Sequence, residues 1–81
     1  MNINSVIEQF ITDELIMPDG RRTISPDESL ISSGVIDSLG ILRIIAFIEE
    51  RFGISVDDEE VIPTNFETIN TIRSLVENKV N

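Results

Sequence analysis

The sequence has no cysteine, no histidine, no tryptophan and no tyrosine. The first absence excludes disulfides and thiolate chemistry. The second removes the usual zinc ligands and every histidine-dependent triad. A nucleophilic serine would need another base beside it. The single lysine, Lys79, lies near the chain end, and the remaining choices are carboxylates, so no catalytic residue and no metal site are expected. Positive charge is scarce as well: 6 basic residues stand against 15 acidic ones, a formal charge of −9. Nothing here resembles the basic patch that neutralises phosphates, and only four phenylalanines could stack on bases. Nucleic acid and anionic membrane surfaces are therefore not expected partners. The opening "MNINSVIEQF" lacks the positive n-region of a signal peptide. No apolar run approaches the roughly 18 residues of a membrane span. The expectation is a soluble monomer whose cysteine-free composition fits the cytoplasm.

What is present fits one domain, 1–81, because 81 residues leave no room for a second. A domain this small buries only about 60% of its unfolded surface, so a few well-patterned elements must supply the core. Ile3, Val6, Ile7, Phe10, Ile11 and Leu15 mark one stripe of a first amphipathic helix, with Asn2 or Asn4 as its cap. "MPDGRRTISPDE" interrupts that period with two prolines and a glycine and reads as a long surface loop. Leu30, Ile31, Val35 and Ile36 are expected to pin the later part of this connection to the core. A second helix runs from Asp37 to Phe52 and stops at Gly53. "DDEE" before Val61 and Ile62 suits a short helical turn closed by Pro63. Its four carboxylates, Asp57, Asp58, Glu59 and Glu60, lack the alternation of a calcium loop and read as a solvated acidic patch. Ile69, Ile72, Leu75, Val76 and Val80 form a last helical stripe behind Thr68 as N-cap. The expected fold is all-α: a small four-helix bundle of three main helices and one short one, with a long loop between helices 1 and 2.

On the second helix, at about 100° per residue, Ile41, Ile44, Ile45, Ile48 and Phe52 gather on one side as the core face. Leu39, Arg43, Ala46 and Glu50 fall on the other, a stripe of mixed character that suits either a partner or solvent. Ser38 opens the helix on neither stripe. The N–H groups of a first helical turn lack intrahelical partners, and the dipole there favours anions, so a phosphate ester on Ser38 would be well placed. Asp37 suits an N-cap, or a group that helps hold a metal while another enzyme transfers phosphate. Either residue also reads as an ordinary cap.

The stretch "GVIDSLGILRIIAFIEERFGISV" resembles the signature of acyl and peptidyl carrier proteins, and the likeness extends over nearly the whole chain through "NFETINTIRSLV". In that family Asp-Ser-Leu opens the second helix and the serine bears a 4′-phosphopantetheine arm. The resemblance implies that Ser38 accepts the arm from coenzyme A with Asp37 beside it, and that an acyl or aminoacyl group rides on the arm as a thioester. It implies a phosphopantetheinyl transferase, an acyl- or aminoacyl-loading (adenylating) ligase and downstream biosynthetic enzymes as partners. Residues at the positions of Leu39, Ala46, Glu49 and Glu50 would meet those enzymes, and Val61 and Ile62 would flank the arm or its cargo. The chemistry would then belong to the prosthetic group and to client enzymes.

Two positions depart from the carriers of fatty-acid synthesis, which usually have acidic residues two and five places after the serine. Here Gly40 and Arg43 occupy them. Arg43 inverts the charge that a basic partner would meet, and like charges at an interface cost several kcal/mol. Gly40 costs up to about 1 kcal/mol of helix propensity relative to alanine; it either permits a close approach beside the arm or marks a tolerant position. "PTNFETI" resembles carriers of nonribosomal-peptide and polyketide pathways, and with these departures favours a discrete carrier of that type. A long acyl chain would need a cavity among the helices, and Phe47, Phe52 and Phe66 are expected to fill that space, which favours short acyl or aminoacyl cargo. A fatty-acid carrier is the nearer alternative. A more distant one is an unmodified acidic helical adaptor that binds through the second helix.

Overall fold

A computed structural model describes residues 2–16 and 24–80. The first part of the expected loop, 17–23, and the side chain of Leu15 lie outside the described residues. Helix α1, Ile3–Ile11, is capped by Asn2, whose side chain accepts from the Ser5 N–H at 3.2 Å. Of its stripe, Ile7 and Ile11 are fully enclosed, and Ile3 and Phe10 pack against the core from its edge. A wider turn, Thr12–Ile16, continues it.

Helix α2, Ser38–Phe52, begins behind Asp37 and ends at Gly53, whose φ of 66° is the left-handed conformation that glycine adopts without strain. Helix α3, Ile69–Val80, starts at Thr68, whose hydroxyl accepts from the Thr71 N–H at 3.0 Å. Both α1 and α2 pack on α3. Ile44 and Ile48 of α2 meet Ile7, Ile11, Ile69, Ile72 and Val76 in one core. Each fully buried aliphatic side chain there contributes about 1.5–3 kcal/mol over its exposed state.

The chain is thus a small helical bundle, with no strand among the described residues. It departs from expectation between α2 and α3. In place of one short helix there are two single 3₁₀ turns, Asp58–Glu60 and Pro63–Phe66, and Pro63 opens the second instead of closing the first. Proline is tolerated at a first helical position but drives the residue before it into an extended conformation. Ile62 is extended, with φ −128° and ψ 149°, and this divides the segment in two.

The connection before α2 is bound to the helices it passes. Leu30 and Ile36 are buried and Ile31 and Val35 lean on the core, as the sequence led us to expect. Ile24, also buried, adds a further anchor. The Leu30 N–H donates to the Glu67 carbonyl at 2.6 Å, and the Ile36 N–H to the Leu30 carbonyl at 3.1 Å. At its other end, Asn70 donates through its N–H to the Pro26 carbonyl and through Nδ2 to Asp27, and Asn4 donates to Asn70 Oδ1. These bonds tie the segment to the start of α3.

Candidate functional site

Asp37 is extended, and its Oδ1 accepts from the Gly40 N–H at 2.8 Å. This caps one of the orphan donors of the first turn and holds Ser38 as the first residue of α2. Ser38 is exposed. Gly40, two residues on, is buried against the preceding loop: a Cβ added there would stand 3.1 Å from Ile36 Cβ. The close approach that Gly40 permits is thus to Ile36 in the fold's own core. This gives the glycine a structural reason independent of any attached group.

Ser38 stands on the rim of an open groove of about 290 Å³ whose other residues are Ile41, Leu42, Val61, Ile62 and Pro63. The lining is apolar except at the serine. Ile41, expected wholly in the core, is half-buried and serves as part of this floor. Leu42, which the sequence reading passed over, is 58% exposed. Its signal was available: it lies one helical turn after Ser38, an apolar residue on neither of the stripes assigned to α2. None of the core residues Ile44, Ile48 and Phe66 lines the groove, and all three have no exposed surface. Phe47 is elsewhere, stacked on Phe10 with ring centroids 4.2 Å apart, and Phe52 lies half-buried under the Arg51 guanidinium.

The outer stripe of α2 is where the period put it. Leu39, Arg43, Ala46 and Glu50 are all exposed, Leu39 by 65%. Arg43 is paired with Glu14 at 3.3 Å across the gap to the turn after α1, with both side chains about half exposed. Glu49 is placed differently. It is half-buried, and its Oε2 accepts from the Val56 N–H at 2.9 Å while its carbonyl takes the Gly53 N–H. Its carboxylate fastens the chain that leaves α2 and is turned away from the outer stripe.

The four-carboxylate patch is not wholly solvated. Glu60 is half-buried, pairs with Lys79 from the last turn of α3, and accepts from the Asp57 N–H at 2.9 Å. The hydrogen bond from Lys79, aided by the one from Asp57, holds the Glu60 carboxyl below its ordinary pKa, and the same contact with Glu60 raises that of Lys79. A lysine so held is a poor base. Among the described residues no cluster of three or more metal-ligating side chains occurs, and no helix is long and apolar enough to cross a membrane.

An exposed hydroxyl at a helix start, beside an apolar groove that could hold a thin flexible chain, fits a phosphate-linked arm. Known proteins of similar sequence place the chain in a family. Residues 6–78 match the family model described as a phosphopantetheine attachment site. The chain is 38% identical over 74 residues to a D-alanyl carrier protein of Streptococcus suis, covering 91% of this chain and 90% of that one. It is 39% identical over 72 residues to a D-alanyl carrier protein of Streptococcus gordonii, covering 89% and 87% respectively. On that family match and these relatives, the chain belongs to the phosphopantetheine-binding family of carrier proteins, whose prosthetic group is covalently attached 4′-phosphopantetheine.

Proposed function

We propose that Ser38 is the attachment residue and that the chain carries a small aminoacyl group, of the D-alanyl kind, as a thioester on the arm. The observation that carries the reading is the position of Ser38: exposed, first in α2 behind the Asp37 cap, and on the rim of the apolar groove. In the attachment step Ser38 Oγ forms a bond to the pantetheine-bearing phosphorus of coenzyme A. The pyrophosphate linkage breaks, adenosine 3′,5′-bisphosphate leaves, and the hydroxyl proton passes to a base of the transferase. The first turn of α2 directs N–H groups toward the resulting phosphodiester, and its dipole favours that charge. The arm supplies a terminal thiol, which is why a chain without cysteine can hold a thioester. Ile41, Leu42, Val61 and Ile62 offer the arm an apolar bed.

Two features favour small cargo. The groove is open, and the core residues Ile44, Ile48 and Phe66 are fully buried, which favours a cargo held at the surface over a long acyl chain drawn into the bundle. The relatives' names point to an aminoacyl group in particular. A nonribosomal-peptide or polyketide pathway, favoured by the sequence alone, shares this cargo class but has no support from those names. The partners that follow are a phosphopantetheinyl transferase, a ligase that activates and loads the amino acid, and an acceptor enzyme. They are met by Leu39, Leu42, Arg43, Ala46 and Glu50. The chain itself acts as carrier and not as catalyst.

The test is intact-protein mass after incubation with coenzyme A and a broad-specificity phosphopantetheinyl transferase. The parent should gain one phosphopantetheine and Ser38→Ala none. A folded parent that gains nothing with two different transferases would rule the reading out.

A further inference from the structure

The wall of the groove that faces Ser38 from across α2 is not helical. Val61 and Ile62 stand between two single 3₁₀ turns, both exposed, and no residue of Asp58–Glu60 is buried. Phe66, at the end of the second turn, is the hydrophobic anchor on this side, and between it and Asp57 polar ties hold the wall in place. The Val61 N–H donates to the Asp58 carbonyl at 3.1 Å and the Asn65 N–H to the Ile62 carbonyl at 3.0 Å, and a further set of ties meets at Glu60. The carbonyl of Glu60 accepts from the Ile62 N–H at 2.9 Å and from Asn65 Nδ2 at 2.8 Å. Its carboxylate accepts from the Asp57 N–H and from Lys79 Nζ. Lys79 also reaches Asp57 Oδ2 at 3.5 Å, and with its side chain only 20% exposed it is held against the turn.

Ion pairs that water still reaches, as it reaches Lys79 and Glu60 at 20% and 28% side-chain exposure, commonly contribute little to global stability. That is small against a domain's total. It is large against the local opening of a short segment with no buried side chain, which lies at the low end of the opening free energies within a fold. The same pair that hardly affects α1 or α2 can thus decide how often Val61 and Ile62 are in position.

We propose that Lys79 is a positioning residue: from the last turn of α3, and through Glu60, it latches Val61 and Ile62 as the wall against which the arm at Ser38 lies. The inference rests on the reading of Ser38 as the attachment residue and assigns that site a remote support. The latch has no bond to Ser38 or Asp37, whose geometry comes from the α2 cap and the preceding loop. Loss of Lys79 should loosen the wall and leave attachment possible.

The experiment compares the full-length parent with Lys79→Ala and Lys79→Arg, before and after arm attachment from coenzyme A. Amide hydrogen exchange at Val61 and Ile62 should quicken about fivefold in Lys79→Ala, stay unchanged at Ile44 and Ile48, and return toward the parent in Lys79→Arg. The change in the Val61 and Ile62 methyl resonances on arm attachment should be clear in the parent and at least halved in Lys79→Ala. Unchanged exchange at Val61 and Ile62 would overturn the latch. Faster exchange with undiminished methyl changes would overturn its role in positioning. A parent that gains no mass from coenzyme A would defeat the Ser38 reading itself, and the exchange data from the unmodified chains would still report on the latch.

Discussion

Gly40 lies against Ile36 so closely that an added Cβ would be 3.1 Å from the Ile36 Cβ. Ile36 is 4% exposed, and its Cβ is joined directly to the backbone, so no rotamer change moves it away. Alanine in a helix is ordinarily favoured over glycine by up to about 1 kcal/mol. Here the forced shift of Ile36, and with it of the Asp37 cap, should exceed that gain. Gly40→Ala is expected to destabilise the domain by about 0.5–1 kcal/mol, read as a lower urea midpoint at unchanged slope. A higher midpoint would show that the loop yields freely.

Asp37 separates capping from charge. Asp37→Ala removes the acceptor for the Gly40 N–H and should cost about 1 kcal/mol. Asparagine caps about as well, so Asp37→Asn should be nearly neutral in stability. Comparing the kcat of phosphopantetheinyl transfer for the two variants then tests the carboxylate itself. A loss in Asp37→Asn at unchanged stability indicates that the transferase uses the negative charge, and equal rates indicate a cap alone.

Arg43 and Leu42 should affect partners and not folding. The Arg43–Glu14 pair is exposed on both sides, so Arg43→Glu should change stability by no more than about 0.5 kcal/mol. If Arg43 helps select the loading ligase, the same change should raise KM for the carrier severalfold with little effect on kcat. Leu42→Ser, at a position 58% exposed, should behave likewise. Normal loading of both variants would show that the ligase meets another face.

The Glu60–Lys79 pair gives stability a pH dependence of definite sign. Glu60 has a folded pKa below its ordinary 4.5, so its contribution is present above that value and is lost as the pH falls through the folded pKa. Lys79 is shifted above its ordinary 10.5, so its contribution is complete below that value and is lost as the pH rises through the folded pKa. Other carboxylates titrate in the acid range, so the difference in urea midpoint between the parent and Glu60→Gln is the useful measure. It should shrink below about pH 4.5 and above about pH 10.5 and be flat between. A difference independent of pH would mean that the pair does not persist in solution.

Local and periodic features could be read from the chain alone. The stripes on α1, α2 and α3, the caps Asp37 and Thr68, the pair Asn2 or Asn4 at the start of α1, and the stop at Gly53 each depend on residues within one or two turns of each other. Sequence spacing therefore determines them, and with them the helical class of the fold and the placing of Ser38 at a helix start. The absence of cysteine and histidine likewise bounded the chemistry before any coordinate was known. Tertiary structure decided what depends on residues far apart in sequence. Gly40 owes its place to the loop that brings Ile36 against it. The groove exists because Val61, Ile62 and Pro63 come to face Ser38 and Leu42. Glu49 is engaged within the fold because the Val56 N–H lies within its reach, and Lys79 finds Glu60 because α3 returns past the acidic turn. Helical period specifies direction around one axis, but such contacts depend on how several axes pack together.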